Sequence, residues 1–129
     1  MLNNAKILVV DDDKDDQLFL IETIQELYPS FHCAIADNGQ EALEYLHKNL
    51  PLPDYIFLDL NMPLVNGFEF LKEFRKYNSS NETSVIIYST SSHPRDWEIS
   101  RDLGAADYII KMYDAELLKL KLTTVIEKI

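Results

Sequence analysis

Short apolar runs alternate with longer amphipathic ones along this chain, and that alternation restricts it to βα units built around a parallel sheet. Five strand candidates stand out: Lys6 to Val10, His32 to Ala36, Tyr55 to Asp59, Val85 to Ser89 and Asp107 to Ile110. Several are unbroken Val, Ile, Leu or Tyr, as expected of strands covered by helices on both faces. Between them lie helical stripes. Leu20, Ile24 and Leu27 mark the first, and Leu118, Leu122, Val125 and Ile129 the last, each placing one apolar face inward. Pro29 stops the first helix. Asn38-Gly39 precedes Ala42, Leu43 and Leu46 of a second, and Asn66-Gly67 precedes Phe70, Leu71 and Phe74 of a third. The fourth, around Trp97 to Leu103, has the weakest pattern, and Asn78-Ser79-Ser80-Asn81 reads as a polar loop.

A length of 129 residues suits one domain with a full core, and no linker, repeat or low-complexity stretch divides it. We therefore expect a single domain over residues 1–129, without an output domain. The formal net charge of -10 opposes direct binding to nucleic acid or to anionic lipid. The one cysteine, Cys33, has no internal disulfide partner and is expected to be a buried strand residue. The N-terminus lacks the apolar core of a signal peptide, and no apolar stretch is long enough to span a membrane, so a cytoplasmic location is expected.

Chemistry concentrates at the strand ends. The first strand runs into Asp11-Asp12-Asp13, the third into Asp59, the fourth into Ser89 and the fifth into Lys111. In parallel α/β sheets, ligands bind at the carboxyl ends of the strands. Crowded carboxylates repel one another unless protonated or bridged by a cation, and an all-oxygen set favours Mg²⁺. An aspartate can attack a phosphoryl group to give an acyl phosphate. Attack of an anion on an anion then requires charge neutralisation: a cation held by Asp11, Asp12 and Asp59, the ammonium of Lys111 and the hydroxyl of Ser89. A backbone carbonyl after Asp59 offers the cation a further ligand.

On these residues the chain resembles the receiver domains of two-component response regulators, from about Lys6 to the last helix. Asp11 and Asp12 match the family's acidic pair, Asp59 its phosphorylated aspartate, and Asn61 the position whose main-chain carbonyl binds the metal. Ser89 matches the Thr/Ser position, Tyr108 the switch aromatic and Lys111 the lysine; Met62-Pro63 and Gly67 match as well. The resemblance implies a doubly wound five-stranded parallel sheet in the order 2-1-3-4-5, an order already well known for this family. It also implies transfer of a phosphoryl group from a sensor histidine kinase or phosphotransfer protein to Asp59. Asp12, Asp59 and the Asn61 carbonyl would bind Mg²⁺, with Asp11 on a metal water. Lys111 and Ser89 would bind phosphoryl oxygens, and Ser89 would move with Tyr108 to present a new surface to a downstream protein. Such a chain is a signalling receiver rather than an enzyme acting on other substrates. One departure stands out: the family usually has a cis-bonded proline after the lysine, and here Met112 follows, so the loop is expected to take a different path.

Simpler roles compete at several positions. Asp13, Asp15 and Asp16 are best read as an N-cap and an acidic first helical turn. Thr90 rivals Ser89, since Ser89-Thr90-Ser91-Ser92 offers four hydroxyls. Trp97, Tyr108 and Tyr113 suit core and docking surface equally. His32, His47 and His93 show no zinc-ligand spacing. Two other functions stay open: a constitutive, unphosphorylated docking module, and a phosphatase resembling the haloacid dehalogenases with its nucleophile in Asp11-Asp12-Asp13. Size and a missing glycine weigh against the second.

Overall fold

The computed structural model describes residues 4–78 and 82–128. Five βα units follow one another: β1 (Lys6–Val10), α1 (Lys14–Leu27), β2 (His32–Ala36), α2 (Gly39–Lys48), β3 (Tyr55–Leu58), α3 (Gly67–Tyr77), β4 (Ser84–Ser89), α4 (Pro94–Asp102), β5 (Asp107–Ile110) and α5 (Ala115–Ile126). All strand pairs are parallel and the sheet order is 2-1-3-4-5, the doubly wound arrangement.

Strand parity divides the core in two. Leu8, Val10, Ile56, Leu58, Val85 and Ile87 face α2 and α3, where Ala42, Phe70, Leu71 and Phe74 cover them. Ile7, Val9, Tyr55, Phe57, Ile86, Tyr88 and Ile109 face the other way, under Leu20, Ile24, Leu118 and Leu122 of α1 and α5. Removing large apolar side chains from water on both faces is the main stabilising term, at about 1.5–3 kcal/mol for each fully buried one. Helix starts are set by local chemistry: Asp13, Asn38, Asn66 and Asp114 cap α1, α2, α3 and α5, and Asn66 with Glu69 forms a reciprocal capping box.

The expected elements are all present, with small shifts. Asp59 lies one residue past β3, although its N–H still donates to the Val10 carbonyl (2.9 Å). α4 begins earlier than its apolar pattern suggests, because His93 caps it and Pro94 occupies its first turn, where no N–H is needed. Cys33 is half-buried rather than buried, and burial alone raises its thiol pKa to about 11. In the expected polar loop Asn78 caps α3, whereas Ser79, Ser80 and Asn81 lie outside the described residues, as does Ile129 of the last stripe. No helix among the described residues is long and apolar enough to cross a membrane.

Candidate functional site

Register brings the site together. Val10 pairs with Leu58 on the adjacent strand, so the next residue of each chain segment, Asp11 and Asp59, leave the sheet side by side. Carboxylate oxygens of Asp11, Asp12 and Asp59 all lie within 4.8 Å of one another, Asp12 being exposed and the other two buried. Gly67 makes the tight return after Asp59 possible. A Cβ on Gly67 would stand 2.5 Å from the Asp59 carbonyl and 2.7 Å from the Leu60 Cα, so only glycine lets the start of α3 pass this close. The Gly67 N–H donates to the Leu60 carbonyl (3.0 Å), closing the loop that contains Asn61.

Lys111 reaches the cluster from the end of β5. Its ammonium lies 2.8 Å from Asp11 Oδ2, 2.8 Å from Asp16 Oδ2 and 3.6 Å from Asp59 Oδ2, with its side chain 4% exposed. The Asp16 contact is a hydrogen bond; the Asp11 contact is an ion pair without hydrogen-bond alignment, and Asp11 Oδ2 is a buried oxygen with no donor directed at it. The Lys111 ammonium also stands 5.8 Å above the Tyr88 ring centre. Met112 does not disturb this. The Lys111–Met112 peptide is trans, and the Met112 side chain packs half-buried against the α1/α5-side core. The peptide thus avoids the cost of a cis bond before a non-proline residue, and the lysine is still delivered to the cluster.

The charges act on one another. Burial, then the neighbouring Asp11 carboxylate, raises the Asp59 pKa to about 6 against the opposing pull of Lys111. Asp11 is also raised, chiefly by burial, with the Lys111 contact opposing. Burial works against the Lys111 charge, but the carboxylates of Asp11, Asp16 and Asp59 outweigh it and raise its pKa.

Ser89 closes β4 fully buried, whereas Thr90 is exposed. The Ser89 Oγ accepts a long hydrogen bond from the Ser91 N–H (3.4 Å). Tyr108 pairs in register with Ile87, two residues before Ser89, and so shares its face of the sheet. Its ring is half-buried, its hydroxyl donates to the Ser91 carbonyl (2.8 Å), and Trp97 meets it edge-on at 5.7 Å. Trp97 and Tyr108 therefore pack onto the core, while Tyr113 is 67% exposed.

Asp16 does more than was read from the sequence. It sits in the first turn of α1 as expected, and it is also buried and bonded to Lys111. The sequence held a signal for this. Asp16 precedes Leu20 and Ile24 at intervals of four, on the same inward stripe. Gln17, also buried and not singled out from the sequence, donates to the Asp11 carbonyl and to Asp37 Oδ1 (2.8 Å), tying the end of β1 to the end of β2.

The acidic set suits a hard divalent cation: three carboxylates form an all-oxygen donor group whose negative charge exceeds what the single Lys111 ammonium offsets. Comparison with known proteins agrees with the geometry. The response regulator receiver domain model matches residues 7–123. A probable cyclic di-GMP phosphodiesterase of Vibrio cholerae is 31% identical over 123 residues, 95% of this chain and 27% of that protein. This chain spans about half the length or less of the curated relatives it matches. Among solved structures, the phosphorylated cyanobacterial phytochrome response regulator RcpA superposes with a TM-score of 0.84 at 29% identity, covering 96% of this chain and 92% of that one. The Mn²⁺-bound response regulator Rcp1 superposes with a TM-score of 0.83 at 25% identity, covering 97% and 96%. With the strand order, the acidic cluster and the family match all in agreement, this chain belongs to the response regulator receiver domains, the phosphorylation-dependent switches of two-component signalling.

Proposed function

We propose that Asp59 is the phosphoacceptor, and that this chain takes its phosphoryl group in the cytoplasm from a phosphohistidine on a sensor histidine kinase or phosphotransfer protein. A carboxylate oxygen of Asp59 attacks phosphorus, the P–N bond breaks, and the departing imidazole takes up a proton. The observation that carries this reading is the convergence of three carboxylates within 4.8 Å of one another with a lysine ammonium 3.6 Å from Asp59. Asp12, Asp59 and the Asn61 carbonyl would hold Mg²⁺, with Asp11 on a metal-bound water. The cation supplies the positive charge that lets one anion approach another. Lys111 and the Ser89 hydroxyl bind the phosphoryl oxygens, which is a matter of placing donors where charge develops.

The output is a surface. Ser89 and Tyr108 share one face of the sheet, so drawing the Ser89 hydroxyl toward a phosphoryl oxygen changes the packing available to the Tyr108 ring and the loop that holds it. A phosphoryl group shifts such an equilibrium only by its differential affinity for the two states. The downstream target is a protein that prefers one of them.

Intact-mass measurement after incubation with Mg²⁺ and a small phosphodonor tests the reading. One added phosphoryl group on the wild type, absent in Asp59→Asn and in EDTA, is the expected result. No addition under any condition would instead favour a constitutive docking module. Turnover of a phosphate ester that survives Asp59→Asn and is abolished by Asp11→Asn would favour the phosphatase.

A further inference from the structure

Lys111 has a partner outside the acidic cluster that surrounds the phosphoacceptor. Asp16 is not among the carboxylates close enough to share a cation with Asp11, Asp12 and Asp59, yet its Oδ2 accepts the hydrogen bond from the Lys111 ammonium at 2.8 Å. Both side chains are buried, at 4% and 10% exposure. Helix geometry makes this possible. The side chain of Asp16, three residues after the Asp13 cap, leans back toward the helix N-terminus and hence over the strand ends. Its backbone is fixed there by its own N–H, which donates to Asp13 Oδ1 (3.0 Å).

We propose that Asp16 is a positioning residue that aims the Lys111 ammonium at the phosphoryl site. This rests on the reading of Asp59 as phosphoacceptor, and deepens it. An ammonium has three N–H bonds in tetrahedral arrangement, so anchoring one restricts the directions left to the other two. Asp11 and Asp16 both stand 2.8 Å from the ammonium, and Asp16 accepts its hydrogen bond. A cation bound in the acidic cluster would also draw on the Asp11 charge, leaving Asp16 as the lysine's own anchor. Asp59 Oδ2 stands at 3.6 Å from the ammonium, too far for a hydrogen bond.

The test uses the whole chain with Asp16→Ala and Asp16→Asn, the second keeping shape and acceptor oxygen if the first does not fold. Three quantities are measured: the rate of phosphorylation by a small phosphodonor, Mg²⁺ affinity by calorimetry, and the ¹⁵N ammonium resonance of Lys111, assigned with Lys111→Met. In the wild type the buried, bonded ammonium should exchange slowly enough to be observed. Asp16→Ala should lose that resonance and phosphorylate about tenfold more slowly, the cost of a misdirected donor, while Mg²⁺ affinity stays within about twofold. Asp16→Asn should fall between. An unchanged Lys111 resonance, a wild-type phosphorylation rate, or a loss of Mg²⁺ affinity as large as the loss of rate would each overturn the assignment. Failure of the underlying reading is distinguishable: the wild type itself would then take no phosphoryl group, while the Lys111 resonance would still report whether Asp16 holds it.

Discussion

At the scale of single residues, the site is held in a state of electrostatic tension that metal or protons relieve. Asp59 has a pKa of about 6 in the folded chain against an ordinary value of 3.8, first because it is buried and second because Asp11 is beside it. A raised carboxylate pKa means that the folded state holds the proton more tightly, so this contribution to stability is present below the ordinary value and is lost as pH rises through about 6. The cation competes for the same oxygens. Stabilisation by Mg²⁺ should therefore be larger at pH 7.5 than at pH 5.5, as read from the shift in Tm on adding the metal; an equal shift at both pH values would place the metal elsewhere. By the same logic Asp59→Asn should raise the Tm in EDTA at pH 7.5, by about 4 °C if relief of the repulsion is worth about 1 kcal/mol. A lower Tm for that variant would mean that the Lys111 contact outweighs the repulsion. At this scale Asp11, Asp59 and Lys111 were legible as candidates because each follows an apolar run at a strand end, and strand order and register then bring them together. Asp16 was obscured by its acidic neighbours: in a run of five aspartates within six residues, capping and dipole effects explain each one locally, and only the tertiary partner separates Asp16 from Asp15.

The elements place those residues through their ends. The loop from Asp59 to Gly67 is a tight example, because α3 begins with its backbone against the carbonyl of Asp59, the proposed phosphoacceptor. Gly67→Ala should push that carbonyl and Leu60 aside, costing about 1–3 kcal/mol as overpacking does. Because the displaced loop contains Asn61, Mg²⁺ affinity should drop along with stability. Calorimetric titration of the variant below its melting temperature checks this, and unaltered affinity would show that the loop absorbs the methyl group elsewhere. Strands and the more amphipathic helices were legible because continuous apolar runs and four-residue stripes are strong, local patterns. The start of α4 was less so, for a physical reason. Ser100 is its one fully buried residue, so burial leaves a faint apolar stripe, and its beginning is fixed instead by the His93 cap and Pro94.

Across the whole molecule, two cores lie on either side of one sheet, and the site draws from both. Asp11, Asp59 and Lys111 continue the strand positions that face α1 and α5, whereas Ser89 and Tyr108 belong to the face covered by α3 and α4. A phosphoryl group bound to both Lys111 and Ser89 would therefore join the two sides at the carboxyl ends of the strands. This geometry could not be read from the sequence by composition or spacing alone; the strand order came from family resemblance, and the parity of each residue from the register. It also provides an internal reporter. Trp97 is the chain's single tryptophan and stands 5.7 Å from the Tyr108 ring, on the opposite side of the sheet from Lys111. If phosphorylation at Asp59 repacks Tyr108, Trp97 fluorescence should change when a small phosphodonor is added with Mg²⁺, and should not change in Asp59→Asn. Linkage then requires the converse: a partner that prefers the repacked surface must raise the equilibrium extent of phosphorylation by the same factor by which phosphorylation raises its affinity. Phosphorylation confirmed by mass with a silent Trp97 and unaltered partner affinity would leave the acceptor chemistry intact and remove the switch from this face of the sheet.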